Sequence, residues 1–192
     1  MFEPNADWTA QARENIGAAL TQAQATLGNR VIVQPDVVGE AAQIQADYMA
    51  LFSAIAGSVI NYQFFVGNRL PTKVRDNRAG AFEWTMGPGV SAIPGASDAD
   101  YALFIYTEDH YGSTGRKVLQ ILAAVSVGVA VQTGLHKGYA GLVDLRTGNL
   151  LWLNADMAMG GEVRTPEGAQ RRVAQLLEDF PGRRPVQAAG AR

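Results

Sequence analysis

Apolar positions recur with two different periods along this chain, and the change of period divides it into elements. Trp8, Ala12, Ile16, Leu20, Ala23 and Leu27 return every three or four residues. They form one stripe on a helix predicted from Trp8 to about Leu27. Asp7 is placed to cap its start, and Gly28-Asn29 to stop it. Val31-Ile32-Val33 then reads as a short buried strand ended by Pro35. A second helix is predicted over about Glu40 to Phe65, with Ile44, Tyr48, Leu51, Phe52, Ile55, Val59 and Tyr62 on its apolar face. Ala50, Ser53, Ala54, Ala56, Gly57 and Ser58 let a neighbour approach that helix closely, and Gly67 ends it.

Past this helix the pattern loosens. Asn68–Gly80 is polar and of mixed charge, with a local basic cluster of Lys73, Arg75 and Arg78 interrupted by Asp76. No aromatic platform lies in the same stretch, so a solvated loop is the reading, not a nucleic-acid patch. Ala81–Thr85 alternates weakly, as a strand would, and MGPGVSAIPGAS is rich in turn formers. Tyr101–Thr107, YALFIYT, is a run of β-formers and the best candidate for a central strand. An apolar helix is predicted at about Thr114–Gly134. Near the end, Thr165 and Pro166 start a last helix whose core face is Val173, Leu176, Leu177 and Phe180. Pro181-Gly182 stops it, and residues 183–192 read as a disordered tail.

The organising stretch is Gly138–Asn154, GYAGLVDLRTGNLLWLN, which reads as a β-hairpin. Asp144 can accept hydrogen bonds from the amides of the turn, and Gly148 can take the left-handed conformation that a short loop needs. Strict alternation puts Leu150 and Trp152 on one face and Leu151 and Leu153 on the other. With both faces apolar, the hairpin belongs inside a sheet with helices packed on it. Trp152 is expected against the last helix, through Val173, Leu176 and Leu177. The order of elements predicts one α/β domain over residues 1–182, with a mixed sheet of about five strands.

Composition narrows the function classes. The chain has 192 residues, 47% of them hydrophobic and 18% charged, which is globular and large enough for a real core. A net charge of −2 supplies no basic field for nucleic acid. Cysteine is absent, which removes disulfides, thiolate nucleophiles and zinc–thiolate sites. Two histidines, His110 and His136, exclude a histidine-rich metal centre, and no cofactor or metal is expected. The opening MFEPNADWTA has no basic and apolar signal-peptide pattern, as would also hold for a piece of a longer precursor. Val118–Leu135 approaches the ~20 residues of a membrane span, but Gln120, Ser126, Gly128, Gln132 and Thr133 dilute it, and a buried helix is the reading.

Candidate chemistry gathers in Glu108–Lys117. Glu108-Asp109-His110 followed by Ser113 holds the residue types of a serine nucleophile and its base, without a nucleophile elbow. The alternative is a polar loop in which Ser113 or Thr114 caps the next helix. Ser113, Thr114, Arg116 and Lys117 could bind an anion at a helix start, although the phosphate-loop pattern is not met. The acids Asp98 and Asp100 lie ~20 Å from Glu108 and Asp109 at the other end of one strand, too far to share a cation. No catalytic set is complete.

Three segments carry a resemblance: DADYALFIYTEDHYGSTGRK, GYAGLVDLRTGNLLWLN and GGEVRTPEGAQRRVAQLLEDFP. They resemble a group of uncharacterised bacterial envelope proteins, many of them lipoproteins. The element order is similar to the periplasmic α/β domain of the curli-secretion lipoprotein and to the amino-terminal domain of TolB. A strand A-x-V-D-x-x-T-G-x-[IL] of those families matches Ala140–Leu150 loosely, since Gly141-Leu142 precedes Val143-Asp144 here. The pattern covers roughly the last half of the chain. The lipobox cysteine and pore-forming hairpins are missing. The resemblance implies a non-enzymatic periplasmic protein associated with the outer membrane, a binding or assembly factor without catalytic residues. Its partners would be other envelope proteins and itself, as a homo-oligomer, through the helix Gly39–Phe65 or the apolar helix after Gly115. Membrane contact would come only through an anchor missing from this chain. The alternative is a cytoplasmic or periplasmic hydrolase, or a nucleotide- or anion-binding enzyme, using the Glu108–Lys117 loop.

Overall fold

The computed structural model describes residues 6–32, 37–109 and 136–182. Three strands form one antiparallel sheet in the order β1 (Tyr101–Asp109), β2 (His136–Asp144), β3 (Leu150–Asp156). Helices α1 (Ala6–Ala25) and α3 (Pro166–Leu176) cover one face, and α2 (Glu40–Val59) with residues 82–93 covers the other. The fold is therefore α/β with the sheet between two layers. Among the described residues the sheet has three strands, not about five, and it is antiparallel, not mixed.

Two expected strands account for part of that difference. Val31 and Ile32 lie outside any strand. Arg30 instead donates to the Asp98 carbonyl at 3.1 Å, and Val33 and Pro35 of the expected strand lie outside the described residues. Ala81–Thr85 contributes a single bridge, Thr85 to Asn149, before Gly87 turns the chain away at φ +77°. Tyr101–Thr107 is a strand, but among the described residues it lies at an edge, and β2 is central. Helix layers on both faces make an edge strand as apolar as a central one, so composition alone does not separate them.

The hairpin forms as its sequence requires. Asp144 Oδ1 accepts from the Arg146 and Thr147 amides at 2.8 and 3.1 Å, and Gly148 adopts φ +75°. The faces do not follow strict alternation. Leu142 pairs with Trp152, yet Val143 pairs with Leu150, so Leu151 is an extra residue in a β-bulge. The bulge puts Leu150 and Leu153 on the α2 face, with Phe52 and Val143. Trp152 is on the opposite face with Val173, Leu176 and Leu177, as expected for the last helix, and meets Phe180 edge-on at 5.3 Å.

The helices begin and end largely where expected. α1 starts one residue before Asp7, which adds charge to the first turn instead of capping it. Its end is a Schellman motif: Asn29 N–H donates to the Gln24 carbonyl, Gly28 N–H to that of Ala25, and Gly28 sits at φ +79°. Thr165 caps α3 by accepting from the Gly168 amide at 3.1 Å. α2 changes character at Ile60, where a π-turn runs to Phe64 and Phe65 N–H donates to the Ile60 carbonyl. That change of pitch turns Tyr62 outward and buries Gln63 completely.

Candidate functional site

The far end of the β1–β2 pair holds the one polar cluster that overlaps the expected chemistry. Tyr106 and Glu108 lie on the same face of β1, opposite Tyr139 and Lys137 of β2. The two tyrosine rings stack at 4.9 Å. Glu108 Oε2 accepts from the Tyr106 hydroxyl at 2.7 Å and meets Lys137 Nζ at 2.8 Å. The Tyr106 phenol is pushed up to about 12, first by donating to Glu108, then by burial and by the charges of Glu108 and Tyr139. A phenol held this way stays protonated at neutral pH, and Glu108 is engaged by two partners. Neither group is poised to move a proton in a catalytic cycle.

The rest of the expected site, His110, Ser113, Thr114, Arg116 and Lys117, lies outside the described residues. So do the apolar helix expected at Thr114–Gly134 and the tail 183–192. Asp144, Gly148 and Trp152 are placed, and each is engaged structurally: two in the turn and one in the core. Asp98 and Asp100 precede β1, and Glu108 and Asp109 end it, so the two acidic pairs are separated by its length. Among the described residues no three acidic or histidine side chains gather as metal ligands.

Two clefts are open to solvent. One, of about 440 Å³, lies at the turn end of the sheet beside Ser91, Ser97, Asp100, Tyr101, Asp144 and Arg146. Its Asp144 carboxylate is already bonded to turn amides, and Arg146 stands 4.0 Å from it. The other, of about 280 Å³, is a shallow groove between α1 and α3, walled by Ala19, Ala23, Leu27, Val173, Leu177 and Phe180. Neither combines a nucleophile, a base and an oxyanion donor.

Several polar residues that matter structurally were not picked out from sequence. Gln63 Nε2 donates to the carbonyls of Val74, Asp76 and Ala81, while its Oε1 accepts from Trp84 Nε1 at 2.9 Å. One side chain thus pins the loop that the sequence shows only as polar. Arg172 is fully buried and donates to the Gly160 and Gly161 carbonyls, both at 2.9 Å. In sequence, Arg171-Arg172 looks like an ordinary solvated pair. Burial of a guanidinium on backbone carbonyls leaves no local signature.

The remaining feature is an edge. β3 carries a bulge, and its outer side is partly covered where Leu150 N–H donates to the Trp84 carbonyl and Met86 N–H to that of Gly148. β1 runs nine residues paired to β2 without a register break, and no described strand lies on its outer side. No family model, curated protein or solved structure matches this chain.

Proposed function

We propose that this chain is a non-enzymatic bacterial envelope protein, a binding or assembly factor that works through protein–protein contacts. The observation that carries the reading is the outer side of β1, on which no strand lies among the described residues. An edge of this length without a lysine, proline or bulge along Tyr101–Thr107 is a template for strand addition. Sheets that avoid such pairing protect their edges, as β3 does here with its bulge and its bridge to Thr85. The envelope setting rests on the resemblance of the three segments quoted above.

The test is a photoreactive side chain at Tyr101, which is exposed on the edge strand, introduced in cells that make the protein from its own gene. Crosslinks to an envelope protein, lost when Thr107→Lys places a charge on the same edge, are expected. Fractionation should find the protein with the envelope. A soluble cytoplasmic protein giving no Tyr101 crosslink would defeat the proposal.

A further inference from the structure

Residues 60–83 differ chemically from the rest of the described surface. Where α2 ends, the chain reverses on itself: Leu70 N–H donates to the Tyr62 carbonyl at 2.9 Å, and Gln63 Nε2 holds the Val74 carbonyl at 3.0 Å. This gathers Tyr62, Phe65, Val66, Leu70 and Val74 into one short folded stretch, and all five are exposed. Phe65, Val66 and Val74 are 58%, 76% and 62% exposed. Phe65 is nevertheless held, since its ring lies against Gly67, where an added Cβ would come within 2.9 Å of it.

The same stretch is cationic. It contains Arg69, Lys73, Arg75 and Arg78 against Asp76 and Glu83, in a chain whose net charge is −2. Lys73 pairs with Glu83, and Arg69 donates to the Gln63 and Phe64 carbonyls. Arg75 and Arg78 are exposed.

We propose that this stretch docks on an anionic phospholipid surface. Phe65 and Val66 enter the boundary between headgroups and acyl chains, Tyr62 lies at headgroup level, and Arg75 and Arg78 meet the phosphates. Charge complementarity selects an anionic lipid surface, since the exposed apolar side chains share this stretch with the exposed Arg75 and Arg78. Neither of the two clefts described above is lined by these residues. This contact is separate from the β1 edge and needs no additional anchor.

The test is co-sedimentation of the full chain with vesicles of equimolar phosphatidylglycerol and phosphatidylcholine, beside vesicles of phosphatidylcholine alone. Binding to the anionic vesicles, weakened by salt, is expected. Arg75→Ala and Arg78→Ala should each weaken it about fivefold. Phe65→Ser with Val66→Ser should weaken it at least about tenfold. The melting temperature of each variant should match the parent, because these side chains are outside the core. Absence of vesicle binding, equal binding to neutral vesicles, or undiminished binding by the serine variant overturns the proposal. So does a parent protein that ignores vesicles but sediments as a dimer which the serine variant breaks. That result would assign this stretch to a second copy of the chain.

Discussion

The two faces of the sheet are closed by different means. On one face α1 and α3 lie side by side, and Ile16, Leu20, Val173 and Leu176 reach the sheet from regular helical positions. On the other face α2 supplies Phe52, Ala56 and Val59, but the rest of the cover is irregular chain: Phe82, Met86 and Val90. The regular face is held by helical periodicity and two well-formed termini. The irregular face is held by individual contacts: the Gln63 hydrogen bonds, and the Phe52 ring stacked on Phe104 at 4.8 Å above Gly141. Damage should therefore be graded by volume on the first face and by single atoms on the second.

The largest effect is expected at Trp152, which is fully buried on the regular face. Trp152→Ala should lose ~3–5 kcal/mol, a large part of a stability of ~5–15 kcal/mol. Trp152→Phe sharpens the point. The indole Nε1 is buried and has no hydrogen-bond partner among the described residues. Phenylalanine sheds that unsatisfied N–H, worth ~1–3 kcal/mol, and offsets much of its lost volume. Thermal unfolding of both variants should therefore give a large drop for alanine and a small one for phenylalanine. Equal drops would mean that the N–H is solvated in the folded protein.

On the irregular face the largest single loss should come from Gln63→Ala. It leaves Trp84 Nε1 and the carbonyls of Val74, Asp76 and Ala81 without this partner. A cost of ~2–3 kcal/mol is expected, large for an amide on a helix end. Proteolysis should also begin within residues 69–81 of the variant before it begins elsewhere. A stability within error of the parent would show that water replaces the amide without cost.

How much of this was readable from sequence differs between the faces in the same way. The α1 stripe from Ile16 to Leu27, the Gly28 stop, the Thr165 cap and the core positions of the last helix all follow local rules and are found in place, while Trp8 at the start of the stripe is exposed. Two of the errors come from single-residue phase shifts. The bulge at Leu151 moved Leu150 to the face opposite Trp152, and the π-turn at Ile60 exchanged Tyr62 for Gln63. A period of 2 or 3.6 cannot show an inserted residue, because the sequence on either side keeps its own period. Of the expected site, only Glu108 can be placed with its contacts, and its partners Tyr106 and Lys137 come from cross-strand register, which no local spacing encodes.

Gly141 gives the next smaller effect. A Cβ there would lie 2.6 and 2.9 Å from atoms of the Phe52 ring and 3.2 Å from Leu150 Cδ1. The glycine is thus required for the close approach of an aromatic ring to the central strand. Gly141→Ala should cost ~1–3 kcal/mol through displacement of that ring. Adding Phe52→Leu to Gly141→Ala should cost less than the two single changes together, since the smaller side chain removes the clash. Strict additivity of the two would show that the ring and the strand are not in the contact described.

The smallest effect lies at the Tyr106 phenol and appears only at high pH. Its pKa is raised from an ordinary 10.0 to about 12 because the neutral form donates to Glu108. A raised pKa means that the fold favours the protonated phenol. The stabilisation is complete below pH 10.0 and is lost as the pH climbs through about 12. Tyr106→Phe keeps the ring on Tyr139 but removes the hydroxyl, so near neutral pH it should lose about 1 kcal/mol, one modest hydrogen bond at a partly exposed site. Between pH 10.0 and about 12 the parent should fall towards the variant, because deprotonation removes from the parent what the mutation has already removed. Chemical unfolding of the pair across that range measures the convergence, and the phenolate absorbance of the folded parent should include a component near pH 12 that Tyr106→Phe removes. If the substitution removes no late-titrating phenol, or the stability gap stays constant with pH, the hydroxyl is not bound to Glu108 in solution.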